Sequence, residues 1–197
     1  MKKHKRTKLK IRPDWKWIII IFCSTISISA VMSFLSNEVL STSGLTISFV
    51  VLLTIILVGI AFDIIGVAVT AAEERPFHSM AAKKCPEASI AIKLLRKADR
   101  VSSFCNDVVG DICGVISGSA AAVIAVSAVS GDGHLTTVVA QLGMSALVAG
   151  LTVGGKALGK SVAILNSTAI VHTSAKIIYA FKSLPARFMR QKNKREH

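Results

Sequence analysis

Four stretches of this 197-residue chain run for some twenty residues or more with almost no charge, and that pattern leaves few folds open. Trp17 to Ser36 holds no charged residue, and Leu45 to about Ala72 holds Asp63 alone. Val101 to Ser130 holds Asp107 and Asp111, and Leu135 to about Leu165 holds Lys156 and Lys160 near its far end. At ~1.5 Å of rise per residue, about 20 apolar residues cover the hydrocarbon core of a bilayer. Each run is long enough to cross. The spacing predicts four transmembrane helices.

Composition agrees with this reading. Apolar residues make up 52% of the chain and charged residues only 18%, which excludes disorder, collagen, a coiled coil and a disulfide-stapled module. A net charge of +13 would point to nucleic acid in a soluble protein. Here the basic residues alternate with the apolar runs, so no nucleic-acid partner is expected. The basic Lys2–Lys16 segment followed by Trp17–Ser36 also has the form of a signal peptide, but the apolar part is long and Ser27 to Ser36 offers no clear A-x-A site. It reads as a retained span.

The placement of Lys and Arg predicts the orientation. Residues 1–16 hold eight, 73–100 hold seven, 156–160 hold two and 176–197 hold seven, which accounts for all 24. The connections 37–44 and 131–134 hold none. Because basic residues stay on the cytoplasmic side, this segregation predicts a multi-pass protein of the plasma (cell) membrane with both termini cytoplasmic.

Two basic segments look amphipathic. Ile90, Ala91, Leu94, Leu95 and Ala98 recur at helical spacing against Lys93, Arg96, Lys97 and Arg100. In 174–190, Ile177, Ile178, Phe181 and Leu184 oppose Lys176, Lys182 and Arg187, with Pro185 expected to break the helix. Such helices lie at headgroup level and attract anionic lipid headgroups, or pack against the cytoplasmic ends of the spans. Residues 191–197 read as a basic tail.

Cys23, Cys85, Cys105 and Cys113 fit neither a disulfide framework nor a zinc site, and the five histidines form no ligand pair. With no nucleophile elbow, phosphate loop, H-E-x-x-H or C-x-x-C, no enzyme is expected. The intramembrane acids carry more information, since a carboxylate at membrane depth costs about 2.5–3.5 kcal/mol on insertion scales. Asp107 and Asp111 lie four apart on one helix face. They are expected to converge with Asp63 on a water-lined pocket of hard oxygen ligands suited to magnesium, or else Asp107 pairs with Arg100 or Lys156. Gly110, Gly114 and Gly118 form a small-residue stripe for close helix packing. Ile64–Gly66 and Gly154–Gly155 are expected breaks, where exposed carbonyls would help to coordinate an ion.

Three separated pieces resemble the transmembrane domain of the CNNM/CorB (CorC-type) magnesium transporter family. The first is Phe62-Asp63-Ile64-Ile65-Gly66-Val67-Ala68-Val69-Thr70 with Glu73-Glu74-Arg75 after it, similar to the family's F-S-G-x-E-x-A-L motif and the cytoplasmic helix that follows. Next, Asp99-Arg100-Val101 and Gly110-Asp111 are similar to a D-R-F entry into a helix containing G-N. Last, Gly155-Lys156-Ala157-Leu158-Gly159-Lys160 and Asn166-Ser167 are similar to G-E-x-x-P-K and N-P. The resemblance covers residues 45–190 and only the transmembrane domain, with an additional helix over 17–36 and no CBS pair expected.

It implies a homodimer with three core spans per chain, a belt of juxtamembrane helices, and a magnesium ion held at Asp63, Asp111 and the backbone near Gly155. Carboxylates at Asp63 and Asp111 stand where the family has serine and asparagine, and Lys156 stands where it has an acid. The implied site is more negative, with Lys156 as a competing cation and Asp107 and Lys160 as neighbouring modulators. The leading expectation is therefore a divalent-cation transporter or transporter-like protein. The other is a membrane scaffold whose Asp–Lys pairs serve packing.

Overall fold

A computed structural model describes residues 15–42, 44–129 and 133–193, and their regular structure is entirely helical. Helix α1 spans Trp15–Thr42 and α2 spans Leu45–Ala71, starting after Gly44 in extended backbone and stopping where Ala72 turns extended again. Three short helices follow: α3 (Arg75–Ala82), with a proline in its first turn, α4 (Ala88–Leu95) and α5 (Ala98–Ser103). Lys84, at φ 60°, makes the left-handed turn that separates α3 from α4. The chain then passes through a π-helix, Phe104–Gly110, into α6 (Asp111–Ala128), and ends in α7 (His134–Leu165) and α8 (Ser167–Asn193).

Four of these rods are long and apolar enough to cross a membrane: Trp15–Phe34, Leu45–Ala71, Ala98–Ala128 and His134–Leu165. The third is a composite of α5, the π-helix and α6. It is also the most enclosed, burying Ile112, Ile116, Ser117, Ala120, Ala121 and Ile124 against α2, α7 and α1. The first and fourth leave Ile19, Phe22, Leu147 and Leu158 exposed. A helix apolar on its outer face as well as its inner one needs an apolar surrounding.

Glycine decides where the rods touch. A Cβ on Gly59 of α2 would lie 2.9 Å from Cys113 Cβ of α6, and one on Gly159 of α7 would lie 2.7 Å from Ile64 Cγ1 of α2. One on Gly155 would strike Ile60 Cδ1. With little hydrophobic drive between helices in lipid, such close backbone approach supplies the dispersion contact that holds spans together.

A second core closes one end of the bundle. Phe77 of α3, which is 0% exposed, packs among Ala68 and Val69 of α2, Ala91 and Leu95 of α4, Ala163 of α7, and Val171 and Ala175 of α8. The basic side chains Lys93, Arg96 and Lys97 are exposed. Glu74 accepts a bond from His78 Nε2 at 3.1 Å and stands 4.0 Å from Arg96 Nε.

Several expectations are corrected. Neither Ile64–Gly66 nor Gly154–Gly155 interrupts its helix; both α2 and α7 are continuous there, because Gly66, Gly155 and Gly159 are used for close contact. The irregular helix lies instead at Phe104–Gly110. The amphipathic stretch 88–100 divides at Arg96–Lys97 into α4 and α5. Pro185 does not end α8, since loss of one backbone donor leaves the flanking turns able to continue. Residues 1–14 of the basic N-terminal segment, 131–132 of the Gly-rich turn and 194–197 of the tail lie outside the described residues.

Candidate intramembrane polar site

The polar centre forms where α2, the π-helix and α7 meet. Asp63, one turn before Gly66 on α2, is held with its side chain 16% exposed, and Lys156 Nζ of α7 stands 3.8 Å from Asp63 Oδ1. Lys156 is placed there by the α2–α7 contact: Gly155 and Gly159 flank it and bring α7 close against Ile60 and Ile64. Its own side chain is 26% exposed, and its ammonium also lies over Gly110, 3.3 Å from where a Cβ would stand. At 3.8 Å the pair is an electrostatic contact, longer than the ~2.7–2.9 Å of a charge-assisted hydrogen bond.

Across from them the π-helix brings in an amide. Asn106 Nδ2 donates to Ser102 Oγ at 3.3 Å, while Asn106 Oδ1 is buried with no hydrogen-bond partner. That oxygen is pressed onto the backbone of Gly66, where any Cβ would collide with it. Asp63 and Gly66 share a face of α2 by their three-residue spacing. Asn106 and Gly110 likewise bracket one turn of the π-helix, so the Gly66–Asn106 contact and the Asp63–Lys156 pair lie one turn apart along α2. A π-turn inserts an extra residue into the helical repeat, leaves backbone groups poorly matched and recurs at functional sites.

The remaining sequence-predicted ligands do not join this group. Asp107 is exposed and its Oδ2 accepts a hydrogen bond from Ser103 Oγ at 2.5 Å. Asp111 is exposed on α6, so three carboxylates do not gather, and among the described residues no group of three His, Cys, Asp or Glu side chains is placed to hold a metal. Gly155 is filled by Ile60 instead of offering a free carbonyl turn, and Lys160 is exposed. Of the glycine stripe, Gly110 meets Lys156, while Gly114 and Gly118 have nothing within 4 Å of a built Cβ.

Asn106 is absent from the sequence expectations because a lone amide has no spacing signature. Its one mark is being the sole amide between Val101 and Ser130. No protein-family model, curated protein or solved structure matches the chain.

Proposed function

We propose that the chain is a multi-pass membrane protein that binds, and as a homodimer conducts, a divalent cation of the magnesium kind at the Asp63–Asn106–Lys156 junction. The observation that carries this is the Asn106 Oδ1 atom, a buried acceptor with no hydrogen-bond partner, set against Gly66 one turn along α2 from a largely covered carboxylate. An unpaired amide oxygen at such depth is costly, and a cation is one of few guests that would satisfy it together with Asp63. Magnesium keeps several waters and needs only one or two protein oxygens directly, so a single carboxylate and an amide suffice. Lys156 then acts as a tethered competitor: its ammonium occupies the charge partner's place and swings aside when the ion enters.

The homodimer explains the outer face of α6. Asp111, Gly114 and Gly118 lie along one stripe, with Asp111 exposed and both glycines open. A carboxylate left facing lipid is unfavourable, whereas a second copy would cover it and supply the close glycine contact. The sequence resemblance to CNNM/CorB transmembrane domains points the same way. The exposed Lys93, Arg96 and Lys97, with the count of seven basic residues in the sequence of 176–197, favour an orientation in which this end and both termini are cytoplasmic, at a plasma membrane with anionic headgroups.

The ion pair itself favours a second reading. Asp63 already has a cationic partner, so a scaffold in which the Asp63–Lys156 contact serves only packing needs no metal. Magnesium flux into liposomes containing the purified protein, wild type against Asp63→Asn, separates the two. Flux that falls in the variant supports conduction, and absence of flux in both supports the scaffold.

A further inference from the structure

Phe104–Gly110 winds as a π-helix between two α-helical stretches of the third rod, and no proline lies in that segment to force it. A π-turn takes one residue more than an α-turn, so the segment stores one residue of slack. The two sides of this slack are held very differently. α6 buries Ile112, Cys113, Ile116 and Ser117 among its neighbours and is fixed. α5 buries none of its residues and meets the core through half-buried Ala98 and Val101. It starts after Lys97, whose backbone at φ −117° and ψ 28° has left the helical region. A slip of one residue therefore has a fixed side, a lightly covered side and a pivot.

Such a slip changes which side chain faces α2 and α7. In the π register Cys105, five residues before Gly110, stacks beneath it, with its carbonyl oxygen 3.4 Å from where a Gly110 Cβ would stand. Asn106 is pressed onto Gly66, and its Oδ1 has no hydrogen-bond partner there. This register leaves a buried acceptor unsatisfied, which is costly. Asp107 is exposed, its carboxylate accepting a hydrogen bond from Ser103 Oγ. In an α register the residues stacked beneath Gly110 are those three and four before it, Asp107 and Asn106. Lys156 Nζ already lies 3.3 Å from the Gly110 Cβ position. We propose that the third rod has a second register, in which the π-turn winds into α-helix and Asp107 turns inward to Lys156. A carboxylate then replaces the amide on the side of the rod that faces α2 and α7. Where Asp63 holds a cation, Asp107 adds a second charged ligand; that consequence rests on the proposed function, whereas the slip itself does not.

Zero-length coupling of the full-length chain in detergent with dicyclohexylcarbodiimide, an apolar reagent that joins a carboxylate to an amine where the two meet, tests it without magnesium. In wild type an Asp63–Lys156 amide shows that the reagent reaches the junction. In Asp63→Asn, Lys156 should instead form an amide with Asp107, scored in the monomer band by peptide mass spectrometry. Deleting Val109 in that background removes the slack and leaves Cys105 four residues before Gly110. An unbroken α-helix then keeps Asn106 toward Gly66, and the Asp107–Lys156 amide should vanish. Ser103→Ala in the same background frees Asp107 from its present partner and should raise the amide yield about tenfold, the weight of one hydrogen bond to a charged group. No Asp107 amide in Asp63→Asn, while wild type gives the Asp63 amide, would overturn the second register. An Asp107 amide that survives deletion of Val109 would do the same. If the deletion variant fails to fold, a yield unchanged by Ser103→Ala overturns it. An Asp107 amide in a protein indifferent to magnesium would sustain the slip and remove the cation reading.

Discussion

Lys156 of α7 reaches across to α2 and sets its ammonium 3.8 Å from the Asp63 carboxylate, so the charged atoms of two apolar rods meet inside the bundle. Neither would be stable there alone. Breaking a fully buried ion pair costs about 3–5 kcal/mol. Because Asp63 and Lys156 keep 16% and 26% of their side-chain surface, Lys156→Met should lower stability by less than that. The double variant Asp63→Asn/Lys156→Met should recover most of the loss. Thermal unfolding of the four proteins in detergent, arranged as a double-mutant cycle, gives the coupling; additive losses would mean the two residues do not act as a pair.

Gly66 and Asn106 form a steric lock between α2 and the π-helix. Any Cβ at Gly66 collides with Asn106 Oδ1, so Gly66→Ala should destabilise by about 1–3 kcal/mol, the usual cost of overpacking. Asn106→Ala removes the obstructing amide and should largely rescue it. If the single variant melts with the wild type, this close contact is absent from the folded protein.

The short-helix end of the bundle depends on Phe77, fully enclosed among residues of α2, α4, α7 and α8. Phe77→Ala should cost about 3–5 kcal/mol locally. Its sign would be faster tryptic cleavage within 73–100, where Lys83, Lys84, Lys93, Arg96 and Lys97 are exposed, with the apolar rods left protected. Cleavage at the wild-type rate would show that the short helices hold without it.

The proposed dimer would meet along the open stripe on α6. Gly114→Leu should fill the space over a glycine that has nothing within 4 Å and push a second copy away, shifting the protein toward monomer in detergent by at least tenfold in dissociation constant. Val123→Leu, at an exposed position off the stripe, should leave the equilibrium unchanged. Analytical ultracentrifugation at several protein concentrations reads both.

The rods were legible because lipid-crossing helices must be apolar for their whole length, and only Asp63, Asp107, Asp111 and the lysines near Gly155 interrupt that rule. The amphipathic register of Ala91 and Leu95 was equally plain, since one face had to be covered. Tertiary choices were hidden. A glycine reads the same whether it breaks a helix or admits a neighbour, so Gly66, Gly155 and Gly159 suggested kinks where the fold uses close contact. A π-turn differs from an α-turn by a slip that neighbouring rods impose, and Asn106 gained its position only through it. Phe77 sits in a short, largely polar segment with only Met80 and Ala81 at helical spacing, and is buried by α2, α4, α7 and α8. Asp63 and Lys156 could be listed as candidates, but their mutual contact depends on how α7 is rotated against α2.

The most direct test of the cation site is magnesium titration of the purified protein, read as the shift of its melting temperature in wild type, Asp63→Asn and Lys156→Met. Saturation at a hundredfold over the dissociation constant stabilises by ~2.7 kcal/mol. The account predicts a clear rise in wild type, a larger rise at lower magnesium in Lys156→Met where the competing ammonium is gone, and none in Asp63→Asn. A melting temperature indifferent to magnesium in both wild type and Lys156→Met, or a rise that survives in Asp63→Asn, would contradict it.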